Sequence, residues 1–197
     1  YMAKYFLYED EDIRMHYSRD EKPLASDFKM HTHESYELSY FEEGIGVYRV
    51  EGTPYPLESG DILIIRPAEV HYIEIGAAKP YTRLAIHFNA DLLAGIDPDR
   101  KLLAPFNNRK IGTFNRYREA DFKGDTYKAF IKNLTTDSHD KYLQTITNLL
   151  PLLNEIAIAF ESLGETETNN TLDSRIISYI NRHTFENITL DDICDKF

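Results

Sequence analysis

Three side chains in one short stretch could do chemistry together: His31, His33 and Glu37 of His31-Thr32-His33-Glu34-Ser35-Tyr36-Glu37, with Gly44 following. An extended backbone alternates its side chains between two faces, so this spacing predicts that all three point the same way. Two imidazoles and a carboxylate in one small volume can coordinate a metal, hold a polar ligand, or hydrogen-bond to one another. His71 is the natural fourth member, because it opens a β-favouring run after the turn Pro67-Ala68-Glu69. His31, His33, Glu37 and His71 form a set that Zn, Ni, Fe or Mn accepts, with positions left for water or a guest. One carboxylate against a dication leaves such a site positive, which favours an anionic or hydroxyl-rich guest. Parity adds further candidates. In the run 81–88, Arg83, Ala85 and His87 share one face while Leu84, Ile86 and Phe88 take the other, and Arg66 shares a face with Ile62 and Ile64. The plainer alternatives are a rim ion pair for Arg83 and a hydrogen-bonded core imidazole for His87. Tyr36 and Tyr48 are among 14 tyrosines whose flat rings and hydroxyl tips suit sugar binding, although most must be structural.

The elements that would hold these residues are short. Two strands are expected within 4–19, separated by the solvated acidic turn Glu9-Asp10-Glu11-Asp12, and strands over 37–41, 47–50, 62–66, 71–75 and 81–88. Turn residues break them at spacings of roughly 8 to 12, the pattern of an antiparallel barrel or sandwich. Beyond Asn89 the texture changes to helical spacing over 91–103 and 119–134, the latter with Tyr127, Phe130, Ile131 and Leu134 on one side. Tyr142, Ile146, Leu149, Leu153, Ile156 and Phe160 then recur at intervals of four and three, predicting a helix of about 25 residues with a kink at Pro151. That stripe fits two roles: packing on its own barrel, or a dimer seam. Leu150, Leu152 and Ile158 widen it enough for both.

Gly164-Glu165-Thr166-Glu167-Thr168-Asn169-Asn170 has no hydrophobic residue and reads as a linker. After it, Leu172, Ile176, Ile177 and Ile180 mark one amphipathic helix. Thr189 caps a second, with Asp192 at its third position and Leu190, Ile193 and Phe197 as a buried stripe. Cys194 is expected in the core there. Two such helices cannot bury a core alone, so a continuation beyond Phe197 is expected.

Bulk properties narrow the class. The net charge of −11 over 197 residues disfavours a phosphate backbone as partner of this chain as a whole. The single cysteine excludes an intrachain disulfide and agrees with the cytoplasm. No run approaches the roughly 18 consecutive apolar residues of a membrane helix, so no membrane partner is expected. No Ser-His-Asp order, P-loop or glycine-rich dinucleotide fingerprint occurs.

The spacing His31-x-His33-x3-Glu37-x6-Gly44, followed by Gly60-Asp61-Ile62-Leu63-Ile64-Ile65-Arg66-Pro67-x3-His71, resembles the two motifs of the cupin superfamily. The first fits fully. The second is one residue longer between Gly60 and Pro67, lacks a glycine after the proline, and has no asparagine four residues beyond His71. With Arg83-Leu84-Ala85-Ile86-His87-Phe88, the set is similar to effector-binding domains of AraC-type transcription factors. The segment from Ile176 to His183 and from Ile188 to Phe197 resembles the opening of that family's helix-turn-helix domain.

The resemblance implies a mainly β fold with helices: a cupin-like double-stranded β-helix (jelly roll) over 1–110, a helical dimerisation segment over 111–163, a linker over 164–170, and the first helices of an incomplete DNA-binding domain over 171–197. It implies a non-enzymatic homodimer that senses a small effector, a sugar by expectation, through His31, His33, Tyr36, Glu37, Tyr48, Arg66, His71, Arg83 and His87. No cofactor is required. DNA would be read by the full-length protein and not by this chain. The rival reading is a cupin metalloenzyme, a dioxygenase or isomerase, using His31, His33, Glu37 and His71.

Overall fold

A computed structural model describes residues 6–76, 79–136, 138–163, 172, 176, 179–180 and 188–197. Its strands are β1 (Phe6–Glu9), β2 (Ile13–Asp20), β3 (Tyr36–Glu43), β4 (Gly46–Val50), β5 (Thr53–Pro56), β6 (Ile62–Ile65), β7 (His71–Ile75), β8 (Tyr81–Phe88) and β9 (Arg116–Tyr117). Its helices are α1 (Asp91–Ala94), α2 (Ala104–Asn107), α3 (Thr126–Thr135), α4 (Lys141–Ser162) and α5 (Leu190–Lys196). The strands form a six-stranded antiparallel sheet ordered β1-β2-β8-β3-β6-β9 and a three-stranded sheet ordered β5-β4-β7. This is the cupin-like barrel that the two motifs imply.

Alternation along the six-stranded sheet divides the molecule. One face, with Met15, Leu38, Ile62, Ile64, Leu84, Ile86 and Phe88, meets α2, α3 and α4 in the larger apolar core. The other face looks into the barrel, where Phe41, Leu63 and Ile65 pack with Tyr48, Val50 and Ile73 of the smaller sheet. Each fully buried side chain of this size contributes about 1.5–3 kcal/mol, so both sides of the sheet are fixed by burial.

Several expected boundaries move, each for a local reason. His31 to Ser35 are not strand: β3 begins at Tyr36, and His31 instead forms an isolated antiparallel bridge with His71. β5 carries Pro54 and Pro56, a composition that reads as a turn, and survives because it is an edge strand. The helix expected over 91–103 stops at Ala94, and the Asp97 carboxylate then accepts from the Lys101 and Leu102 amides to form a tight loop. Gly124, at φ +100°, interrupts 119–134, so α3 begins at Thr126.

α4 runs on through Pro151 and is capped by the Asp140 carboxylate, which accepts from the Leu143 amide. It is long and apolar enough on average to cross a membrane. Its apolar side, however, is already used: Leu149, Leu153, Ile156 and Phe160 lie in the larger core against the sheet. Tyr142 is half exposed, and Ile146 sits on the partly exposed flank with Leu143 and Leu150. The expected linker 164–170 and Ile177 lie outside the described residues. α5 has the expected Thr189–Asp192 capping box, but Leu190, Phe197 and Cys194 are exposed rather than buried.

One loop is held by a glycine. Gly112 has φ +71°, and a Cβ there would come within 2.9 Å of Glu51 Cβ and 3.0 Å of the Val50 carbonyl oxygen. Gly112→Ala is expected to lower stability by about 1–3 kcal/mol, read from urea denaturation; an unchanged midpoint would contradict it.

Candidate functional site

Strand register builds the site. Across β3 and β8, Glu37 stands opposite His87, Ser39 opposite Ala85, and Phe41 opposite Arg83; across β2 and β8, His16 stands opposite Ala85. These side chains share the barrel face with Tyr48 and Ile73 of the smaller sheet. All of them but Phe41, together with Phe28, Lys29 and His31, wall a cavity of about 570 Å³. His33 faces a second recess of about 500 Å³, which shares His16, His31 and His87 with the first and is rimmed by the acidic turn 9–12.

Four imidazoles and one carboxylate meet at the junction. The ring centroids of His31 and His71 are 4.3 Å apart, of His33 and His71 4.9 Å, and of His33 and His87 4.8 Å. Three of the rings are oriented by backbone carbonyls, and Nδ1 of His87 lies 3.3 Å from the Ser35 hydroxyl. Nδ1 of His31 lies 2.8 Å from the Lys29 carbonyl, Nδ1 of His33 2.9 Å from the Ser35 carbonyl, and Nδ1 of His71 2.8 Å from the Glu69 carbonyl. A carbonyl only accepts, so in each ring Nδ1 carries the proton and Nε2 of the neutral form is a bare base. Nε2 of His33 is 2.8 Å from Glu37 Oε2, and Nε2 of His71 is 3.3 Å from the same oxygen without hydrogen-bond alignment. His71 is fully buried, and its Nε2 has no hydrogen-bond partner among the described residues.

Lone pairs facing a carboxylate repel, so this arrangement calls for positive charge between them, either extra protons or a cation. Burial alone would push the Glu37 carboxyl up, but hydrogen bonding and charge from His33, His71 and His87 hold it well below the usual range. Burial disfavours the His71 cation, yet Glu37 beside it and the Glu69 carbonyl raise its proton affinity above that of an ordinary imidazole. His87 is lowered by burial.

A metal fits the same geometry. His31, His33 and His71 bring ligand atoms within 4.8 Å of one another, and so do His33, Glu37 and His87. The Nδ1–carbonyl contacts are the outer partners that orient metal-binding imidazoles, and the orphaned His71 Nε2 is the lone pair such an ion would take.

The structure does not bring every expected residue to this place. His31, Glu37, Tyr48, Arg83 and His87 wall the first cavity, His33 the second, and His71 lies behind them. Tyr36 is on the opposite face of β3, stacked on Phe88 and edge-on to Phe106 in the helical core. Arg66 is buried beyond the end of β6, where its guanidinium donates to the Arg109 carbonyl. His16, Phe28 and Lys29 are cavity residues that the motifs do not mark.

Behind the site sits a charged clamp. Glu69 and Arg109, both with side chains fully buried, form paired 2.7 Å hydrogen bonds, and the Glu69 carboxylate also accepts from the Gly112 and Arg66 amides and from Asn115 Nδ2. The turn that presents Glu69 has Ala68 at φ +63°, the place where the second motif lacks its glycine, and the Ala68 amide donates to the His33 carbonyl.

Residues 21–121 match a family model described as the AraC-like ligand binding domain. The chain is 22% identical over 179 residues to the HTH-type transcriptional activator RhaS of Escherichia fergusonii, an alignment that covers 86% of this chain and 61% of that protein's length. Among solved structures, a cupin protein from Bacteroides fragilis is similar at 22% identity and TM-score 0.36, covering 41% of this chain and 69% of that one. An uncharacterized protein with a double-stranded β-helix domain from Klebsiella pneumoniae is similar at 18% identity and TM-score 0.38, covering 44% and 76%.

Proposed function

The chain belongs to the AraC-like ligand-binding domain family, and from that premise we propose that it senses a small hydroxylated effector, a sugar or a close relative, on behalf of a transcription regulator. The observation that carries this reading is the cavity of about 570 Å³ between the two sheets, large enough for a monosaccharide and walled by ring faces beside charged and hydroxyl groups. Rings stack on the apolar face of a sugar, while Glu37, Ser39, Tyr48 and the imidazoles offer acceptors and donors for its hydroxyls. In this reading the regulator works as a homodimer, with Tyr142, Leu143, Ile146 and Leu150 on the partly exposed flank of α4 as its seam. DNA would be read in a longer protein whose helix-turn-helix units begin within 171–197. Effector binding acts by favouring one arrangement of barrel and helices over another.

The test is a thermal-shift and calorimetric screen of sugars and small acids. A true effector at 100 times its Kd adds about 2.7 kcal/mol, a rise of roughly 5–11 °C in Tm for a chain of this size. A screen in which nothing moves the transition would sink the sensing role and leave a dimerisation module.

A divalent metal is the finer part of the proposal, favoured by the orphaned Nε2 of His71. His31, His33 and His71 would hold it with Glu37 beside them, or else His33, Glu37 and His87 would. It would supply a Lewis-acidic centre for effector hydroxyls or carboxylates. Turnover by metal-loaded protein would favour the metalloenzyme reading instead.

A further inference from the structure

One end of the cavity is chemically unlike the other. Apart from the cluster of His31, His33, His71 and His87 lies Arg83, its Cζ 4.8 Å from the Tyr81 ring centre and 5.0 Å from that of Phe28. The two rings flank the guanidinium by cation–π contact. Its Nη1 is buried with no hydrogen-bond partner among the described residues, and the Oγ of Ser18, the residue paired with it across β2 and β8, is buried and unpartnered too. The nearest carboxylate is Asp20 Oδ2, 3.7 Å from Nη1, too far for a hydrogen bond and nearly half exposed to water. Ser26, Asp27 and Lys29, flanking Phe28, and His16 and Ser39 on the barrel face are the other polar groups that line the cavity beside Glu37, Tyr48, Tyr72 and the remaining imidazoles.

A guanidinium whose side chain keeps only 20% exposure, with Nη1 buried and held by a long ion pair alone, is costly, because the lost hydration of that nitrogen is not replaced by a hydrogen bond. A planar oxyanion replaces it well, since a carboxylate matches the fork of donors on arginine. A neutral sugar hydroxyl carries no charge and a single oxygen, so it cannot span the guanidinium fork as a carboxylate does. Glu37 is hydrogen-bonded by His33 with His71 beside it, and it forms no ion pair with Arg83 among the described residues.

Resting on the sensing role proposed above, we infer that the effector carries a carboxylate: a sugar acid whose acid group docks on Arg83 between Phe28 and Tyr81 and whose hydroxyls reach Glu37, His31 and His87. The cavity then selects by charge as well as by shape.

Matched pairs test this at constant ionic strength: D-glucuronate against D-glucose, and D-galacturonate against D-galactose, each measured by calorimetry and thermal shift. At least one uronate is expected to bind at least tenfold more tightly than its neutral partner. Arg83→Gln should weaken that uronate by about 10- to 100-fold. Asp20→Asn, which removes the competing carboxylate outside the cavity, should leave its affinity equal or tighter. Comparison of the unliganded Tm of each variant with wild type separates a binding effect from misfolding. Neutral sugars binding as well as uronates, or an Arg83→Gln variant with unchanged uronate affinity, would overturn the acid class while leaving effector sensing intact. Silence of all four probes also counts against it, whereas the sensing role falls only if the wider screen is silent.

Discussion

Replacing Arg109 by methionine is expected to lower the stability of this protein by about 3–5 kcal/mol, a fall of roughly 6–20 °C in Tm. The side chain is of similar length, so the loss is one of charge and hydrogen bonding rather than volume. It leaves the Glu69 carboxylate fully buried with three neutral donors, the amides of Arg66 and Gly112 and Nδ2 of Asn115, and no cation hydrogen-bonded to it. It also strips the donors that Arg109 gives to the carbonyls of Pro105 and Thr113, which fold 105–115 onto the end of β6. Adding Glu69→Gln should cost less than the sum of the two single changes, because the second removes the charge that the first strands. A pH dependence follows. Burial works against ionisation of Glu69, but hydrogen bonds and charge from Arg109, with the Gly112 amide and Arg66, outweigh it and set its pKa below the ordinary 4.5. A carboxyl lowered in the folded state stabilises fully above its unfolded pKa and ceases to do so as pH falls toward its folded one. The urea midpoint of the wild type should therefore drop below about pH 4.5 more steeply than that of Arg109→Met. A loss under about 1 kcal/mol at neutral pH would show that the clamp is not what holds the loop.

Metal affinity offers the second large effect. Zn2+ or Ni2+ titrated into the protein is expected to bind at one site per chain, and His33→Ala should weaken it by more than about 100-fold, since removing even an outer partner of a ligand costs 10- to 100-fold. His33 belongs to both candidate trios, whereas His31 and His87 belong to one each. His31→Ala and His87→Ala thus read out which trio holds the ion: a large loss in one and a small loss in the other assigns it. His31 is exposed, so its replacement leaves the core untouched. If all three variants bind as the wild type does, or the wild type binds nothing, the positive charge at Glu37 is supplied by protons alone.

Much of the site was legible because strands have a period of two. Arg83, Ala85 and His87 face the cavity and Leu84, Ile86 and Phe88 the helices, as parity along 81–88 predicts. The same rule separates Tyr36 from Glu37, adjacent residues that cannot both face the barrel while their segment is extended. Parity also explains Arg66: Ile62 and Ile64, which share its face, pack in the helical core, so Arg66 turns away from the cavity, and spacing alone does not say which face of β6 looks into the barrel. The convergence of His31, His33 and Glu37 was readable from spacing although its cause was not: the bridge from His31 to His71 and a loop through Ser35 do what a continuous strand was expected to do. The heptad stripe of α4 announced a helix with an apolar side, but spacing says nothing about whose surface covers it. Leu149, Leu153, Ile156 and Phe160 turn inward. Glu69 and Arg109 were not legible, since a charged residue in a Pro-Ala-Glu turn looks like any solvated one until the chain closes over it.

The alternation along β8 has a bearing on engineering. Its odd-numbered positions 83, 85 and 87 line the guest compartment, and its even-numbered positions 84 and 86 pack in the helical layer. Randomising the odd set should change what the protein recognises while its fold and any response carried by the helices persist, and varying the even set should retune the response without altering the guest. One strand thus carries two separately mutable alphabets, interleaved residue by residue.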